Sequence, residues 1–218
     1  LKGARAFREA LLKGAEELGI ELKGKELEAF SLYLQELNRW NRKVNLTALR
    51  GEEEIAVKHF LDSLTVVPFL GSEDRLLDIG TGAGFPGMVL KIHRPSLEVL
   101  LLDASQKRAF FLRHLVRTLG LQEVEVLHAR VEDPEVIERY RGRFDLVVSR
   151  AFTSLVDFLR AAEPYLAPGG RALAMKGPKV EGELASLKGL PFSLEERKDL
   201  RLPFSMGERT LLLFRLSP

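Results

Sequence analysis

The 218-residue sequence contains no cysteine. That absence removes disulfides, thiolate-held zinc or iron–sulfur centres, and cysteine nucleophiles together. Also missing is any apolar run near the roughly 18–20 residues that a membrane-spanning helix needs. Residues 1–19 alternate Lys, Arg and Glu with Leu and Ala instead of forming the uninterrupted apolar stretch of a signal peptide, so a cytoplasmic protein without a membrane span is expected. Neither charge sign dominates. Thirty-three Lys and Arg against 31 Asp and Glu leave a net charge of +2, a total that neither demands nor excludes an anionic partner. Amides are scarce as well: three Asn and three Gln beside abundant Glu, Arg and Leu make the composition resemble that of heat-adapted proteins. What is present, 45% hydrophobic and 29% charged residues, suits one globular domain with an appendage and a sizeable core.

Along the chain two textures follow one another. Over residues 1–70 apolar side chains recur three or four apart, at Ala6, Ala10, Leu11 and Leu18 and then at Leu27, Phe30, Leu34, Leu37 and Trp40. This predicts a helical N-terminal extension of three helices, broken at Lys23-Gly24, the third running over 52–67 until Pro68 stops it. From residue 71 to 218 short apolar runs at 76–79, 99–102, 124–127, 144–148 and 171–175 alternate with helical stretches at 86–93, 106–119, 134–140, 155–166 and 180–187. Buried strands alternating with helices predict an α/β fold: a parallel sheet covered on both faces. Two extended stretches, 193–202 and 209–216, add an antiparallel pair at its end.

The sharpest motif is Asp78-Ile79-Gly80-Thr81-Gly82-Ala83-Gly84-Phe85-Pro86-Gly87, an apolar strand running into a turn with glycine at every second position. Glycine admits positive φ and lets a ligand approach the main chain. The next strand ends in Asp103, the place of an acid that accepts hydrogen bonds from ribose hydroxyls. Register separates two cofactor classes. A dinucleotide fingerprint counted from Gly80 would require glycine at Phe85, whereas acid-x-G-x-G-x-G from Asp78 fits the strand end, the shape found in S-adenosylmethionine-dependent methyltransferases. A nicotinamide dehydrogenase, a small-molecule methyltransferase and a nonenzymatic nucleotide- or RNA-binding protein stay as alternatives at this level. Methylation at a pyrimidine carbon needs a cysteine adduct and is excluded. The N/D-P-P-Y/F turn of exocyclic-amine enzymes is absent, its place holding Ser149-Arg150-Ala151-Phe152. An acceptor such as guanine N7 has a lone pair and no proton, so alignment suffices without a general base.

Several further segments occur in order: Asn45-Leu46-Thr47-Ala48, His59-Phe60-Leu61-Asp62-Ser63, the turn ending Gly84-Phe85-Pro86-Gly87, Asp103-Ala104-Ser105 with Lys107-Arg108, Ser149 to Phe152, and Met175-Lys176-Gly177. With them the sequence resembles, over nearly its whole length, the ribosomal RNA small-subunit methyltransferase G family, also called glucose-inhibited division protein B. The resemblance implies a Rossmann-like class I methyltransferase with a seven-stranded, mostly parallel sheet. It implies methyl transfer from S-adenosylmethionine, releasing S-adenosylhomocysteine, to N7 of one guanine in the 16S rRNA loop near the decoding centre. The partner is then 16S rRNA, the 30S subunit or an assembly intermediate, met by a monomer. By position it implies cofactor contacts at Gly80, Phe85, Asp103, Ala104, Ser105, Val131, Glu132 and Arg150.

Each candidate also has a plainer reading. Asp103 suits ribose binding or a cap for the helix starting near Gln106; Asp78 and Gly82 are cofactor-binding candidates of the glycine turn, Asp78 more as a turn-organising acid than as a direct sulfonium partner. Glu132 is an adenine partner or an exposed loop acid, and Arg150 a ligand at the sheet edge or half of a salt bridge. His59 and Asp62, three apart on one helical face, are an RNA-facing or helix-organising pair; two ligands without a third make no metal site. Asn45 and Thr47 read as caps that, by the resemblance, border the active cleft. RNA contact is expected of Lys107, Arg108 and Lys176, and of Arg39, Arg42, Lys43, Arg113 and Arg117 on helix faces. Trp40 is expected in the core with Phe30, Leu34 and Leu37 rather than on a base-stacking surface.

Overall fold

The computed structural model describes residues 2–71, 75–150, 152 and 154–217; Ala151 of the Ser149-to-Phe152 motif lies outside them. Helices α1 (Lys2–Glu17) and α2 (Gly24–Val44) open the chain. The helix expected over 52–67 is instead a composite: α3 (Glu52–Ile55), a π-helical segment (Ala56–Leu61) and α4 (Asp62–Leu64), followed by a 3-10 turn (Val67–Phe69) around Pro68. The π segment holds one extra residue per turn, which sends nearly every side chain from Ile55 to Thr65 inward.

The sheet contains β1 (Arg75–Ile79), β2 (Glu98–Asp103), β3 (Val124–His128), β4 (Phe144–Ser149), β5 (Leu166–Lys176), β6 (Phe192–Arg201) and β7 (Glu208–Leu216). Its order is β3-β2-β1-β4-β5-β7-β6. Only β7 runs against its neighbours, slotting between β5 and β6. Interior strands such as Leu76-Leu77-Asp78-Ile79 are buried on both faces, which is why they read as continuous apolar runs. At the two edges the pattern loosens. β3 is at most half-buried, and β6 is exposed along most of its length, its Glu195, Glu196, Arg197, Lys198 and Asp199 guarding an open strand edge.

Helices α5 (Gly87–His93) and α6 (Gln106–Leu119) lie on one face, α7 (Pro134–Tyr140) and α8 (Leu155–Ala162) on the other, and α9 (Glu181–Ala185) follows β5. Two of these differ from expectation. α8 stops four residues early because Pro164, lacking an N–H, forces a 3-10 turn at Glu163–Tyr165. β5 then begins at Leu166 rather than 171, since Leu166 already pairs with Phe144 before a register shift. Alternate strand residues divide between two cores. Leu76, Leu101, Leu146 and Leu173 join Phe7, Phe30, Phe60 and Phe111 on the first face, whereas Leu77, Leu100, Val147 and Ala172 join Phe158 and Tyr165 on the second. The N-terminal helices therefore share a core with the sheet and with α5 and α6.

Candidate functional site

At the C-terminal end of β1 the glycine turn is closed by its own acid. Asp78 is wholly buried, and its Oδ2 accepts hydrogen bonds from Thr81 Oγ1 at 2.7 Å and from the Gly87 N–H at 2.8 Å. Burial pushes its carboxyl up to about 6, against the opposing pull of those two donors. Its other oxygen, Oδ1, is buried with no partner among the described residues. Gly80, Gly82 and Gly84 all have positive φ, at 69°, 62° and 102°. At Gly84 a Cβ would also sit 2.5 Å from Tyr33 Oη, and at Gly87 one would sit 2.6 Å from Leu101 Cδ2. The last two glycines are thus dictated by packing, and the first two by backbone shape.

Asp103, at the end of β2, joins two loops. Its Oδ2 accepts from the Gly82 N–H and its Oδ1 from the Ser105 N–H, each at 2.8 Å, with Arg108 Nη1 3.5 Å away. The cap position of α6 is Ser105, so the capping role considered for Asp103 is not the one it takes. Beside Asp103 opens a cleft of 240 Å³ that brings together Gly80, Asp103, Ala104, Val131 and Glu132, with Ile79, Ala129 and Phe152 as apolar walls. Tyr165 fixes its far side by donating to the Val131 carbonyl at 2.7 Å. Asp78, Gly82, Phe85, Ser105 and Arg150 do not line it.

Phe85 is packed inside the protein. Its ring is only 3% exposed and lies between Tyr33, 5.2 Å away and parallel within 3°, and His59, 4.5 Å away at 14°. The side chain is enclosed by protein, which leaves the main chain as its only route to a ligand. Arg150 stands 5.5 Å over the same ring and donates to the Lys58 carbonyl at 2.9 Å, to Asp62 Oδ2 at 3.1 Å and to His59 Nδ1 at 3.3 Å. A guanidinium only donates, so Nδ1 accepts and the His59 proton belongs on Nε2, 2.7 Å from Thr47 Oγ1. Burial and the Arg150 charge lower the imidazole to about 3, keeping it neutral.

Two expected RNA contacts are overturned. Asp62 is fully buried and binds Arg209 through both oxygens, at 2.7 and 2.6 Å, as well as Arg150. A carboxylate satisfied by two guanidiniums inside the protein has no face left for RNA; the helix-organising reading is the one observed. Lys176 points its ammonium to Glu183 at 3.0 Å and to the Phe152 carbonyl at 3.2 Å, with 12% of its side chain exposed, so it ties β5 to α9 instead. Lys107 and Arg108 are exposed at the start of α6. Asn45 is exposed in the left-handed region as the C-cap of α2, and Thr47 is held by both ends of the Asn41 amide at 2.9 Å. Asn41, Tyr33 and Arg209 escaped sequence reasoning because each acts on residues far along the chain or across a turn, and no local pattern marks them.

The chain resembles known proteins on three counts. The family model GidB, rRNA small subunit methyltransferase G, matches residues 26–212. The ribosomal RNA small subunit methyltransferase G of Geobacter sulfurreducens is 42% identical over 207 residues, covering 93% of this chain and 94% of that protein. Among solved structures, TrmN from Thermus thermophilus superposes with a TM-score of 0.56 at 21% identity over 81% of this chain and 53% of that one. A SAM-dependent methyltransferase from Aquifex aeolicus gives 0.52 at 18% identity, covering 71% and 89%. At such identities these structures speak for the fold.

Proposed function

We infer the reaction from one premise: the chain belongs to the rRNA small subunit methyltransferase G family. It is a methyltransferase that uses S-adenosylmethionine and acts on small-subunit rRNA. Our proposal is that the acceptor is N7 of a single guanine in the 16S rRNA, presented as rRNA, as an assembly intermediate or as the 30S subunit to a monomer in the cytoplasm. The observation that carries the site is the junction of Asp103 with the Gly82 N–H beside the cleft. The glycine turn and Asp103 would hold the adenosyl half, with Ala104, Ser105, Val131 and Glu132 about the base. The cleft sets the Asp103 carboxylate against apolar walls, which fits a group that carries ribose hydroxyls and a purine. S-adenosylmethionine supplies a methyl carbon activated by a sulfonium.

The protein's own work is binding and alignment. Apolar walls at Ile79, Ala129 and Phe152 exclude water around the purine, and the glycine turn is held in shape by internal bonds such as Gly82 N–H to Asp103 Oδ2, so the cleft is preorganised. Guanine N7 gives up no proton, so no residue is assigned as a base. Arg150, Thr47 and His59 border the substrate side as a prearranged network, and we take residues 1–70 as the part that meets RNA and residues 71–218 as the part that holds the cofactor. The test is incubation with methyl-labelled S-adenosylmethionine and unmodified 16S rRNA or 30S subunits, followed by digestion to nucleosides. Label is expected in 7-methylguanosine and should drop at least tenfold with Asp103→Ala, which also weakens cofactor binding. Label in another nucleoside would overturn the N7 assignment, and unchanged cofactor affinity in the variant would overturn the role of Asp103.

A further inference from the structure

We propose that a second RNA contact, separate from the cofactor cleft, lies between α2 and α6, where Trp40 forms the floor of a pocket that takes an unpaired base while flanking cations hold the phosphates. This inference rests on the rRNA reading and adds to it a defined docking surface. Trp40 is half-buried: one part of its ring packs on Phe111 at 5.7 Å and on His114 at 5.3 Å, and the rest opens on a pocket of 350 Å³. Arg39, Lys43, Val44 and His114 complete that pocket. The pocket is shaped by a fixed pair, since His114 Nε2 lies 2.6 Å from Glu36 Oε2.

Charge decides what the pocket receives. The whole chain is nearly balanced at +2, yet residues 37–44 and all of α6 contain no Asp or Glu. They present Arg39, Arg42 and Lys43 from one helix and Lys107, Arg113 and Arg117 from the other. Arg39 is 72% exposed and meets only Glu36, at 3.5 Å, a surface pair of little strength. Arg42, Lys43, Lys107 and Arg117 are in no ion pair among the described residues, so their charge is available to a polyanion. The position of α6 supplies the link to the chemistry: it starts three residues after Asp103, which lines the cofactor cleft, and carries His114, which lines the Trp40 pocket. Phe110, on α6 and 52% exposed, extends the same face with a second aromatic ring. An aromatic floor between exposed cations is the arrangement that binds single-stranded nucleic acid, stacking the base and tracking the backbone. An acidic protein partner would use the cations but gain nothing from a base-sized recess against an indole.

Trp40 is the single tryptophan of the chain, so intrinsic fluorescence reports on this pocket alone. Unmodified 16S rRNA, a mixed-sequence single-stranded RNA and a fully paired RNA duplex are titrated in turn, with filter binding run in parallel. The two RNAs with unpaired bases should quench Trp40, the duplex should leave it bright, and added salt should reverse the quench. Lys43→Glu with Arg39→Glu, checked for an unchanged melting curve, should weaken rRNA binding roughly 5- to 100-fold, the range expected for losing a stacked base and its phosphates. Affinity for S-adenosylhomocysteine should stay the same. RNA that binds and is methylated while Trp40 stays bright and the double variant binds normally would overturn this contact and leave the enzyme reading intact. If an acidic peptide quenches Trp40 and RNA does not, the surface belongs to a protein and the proposal falls. Failure of any RNA to bind or be methylated would remove the enzyme reading and this contact together.

Discussion

At the scale of single residues, two buried groups titrate in opposite senses. Asp78 is pushed from 3.8 up to about 6, so its folded form holds a proton more tightly than its unfolded form. Its contribution to stability is complete below pH 3.8 and is lost as pH rises to about 6, a change of about 3 kcal/mol at ~1.36 kcal/mol per unit. His59 is lowered from 6.5 to about 3; its contribution is complete above pH 6.5 and is lost as pH falls toward 3. Between about pH 4 and 6 the two offset one another. Asp78→Asn removes one side of that balance. Relative to the unaltered protein, this variant should gain up to about 3 kcal/mol as pH rises through that window, measured by urea unfolding at a series of pH values. A difference independent of pH would show that burial does not set the Asp78 carboxyl. The acid and the glycines of this turn were legible in the sequence because they are contiguous. The neutral state of His59 was not, since it depends on burial in the folded chain and on Arg150, 91 residues away.

Among the elements, the π segment Ala56–Leu61 decides the most. It sets His59 against Phe85 and, one residue past its end, Asp62 between Arg150 and Arg209. Deleting Val57 removes the inserted residue and lets the segment close to an ordinary α-helix, which leaves the flanking turns in register but redirects the side chains within the segment. The deletion should keep helix content by circular dichroism but lower methyl transfer by at least tenfold, because His59, inside the segment, loses its place against Phe85 and Arg150. Full activity would mean that the network is not needed. Periodicity located this helix at residue 52 and missed the π turn. A single inserted residue leaves local hydrophobicity unchanged, and only the distant partners show that it is there. The same limit explains β5, whose expected start is 171 although the strand begins at Leu166 and passes through the glycines at 169 and 170. Where an element is specified by its own residues, as with the Gly120 that ends α6 in the left-handed region, sequence and structure agree.

Taken as a whole, the molecule is not an enzyme domain with a detachable leader. Phe7 of α1 meets Phe60 edge-on at 5.0 Å, Phe60 meets Phe85 at 5.3 Å, and a Cβ on Gly14 would fall 2.2 Å from Leu61. The helices up to residue 70 and the glycine turn therefore pack as one body, and calorimetry should show one unfolding transition with equal calorimetric and van't Hoff enthalpies. Two resolved transitions would mean that the leader folds by itself. The texture of the sequence changes at Arg75, where the first strand begins, but hydrophobic pattern says nothing about whether the two sides share a core. Strand order carries a different kind of information. β6 has its entire ladder in β7, a strand that comes after it in the chain, while β5 reaches only β7 on that side. During synthesis from the N-terminus, β6 thus leaves the ribosome with no place in the sheet, and its charged residues must keep it in solution until β7 is made. The slot beside β5 has to stay open for that time, so the sheet is completed out of the order in which its strands are translated.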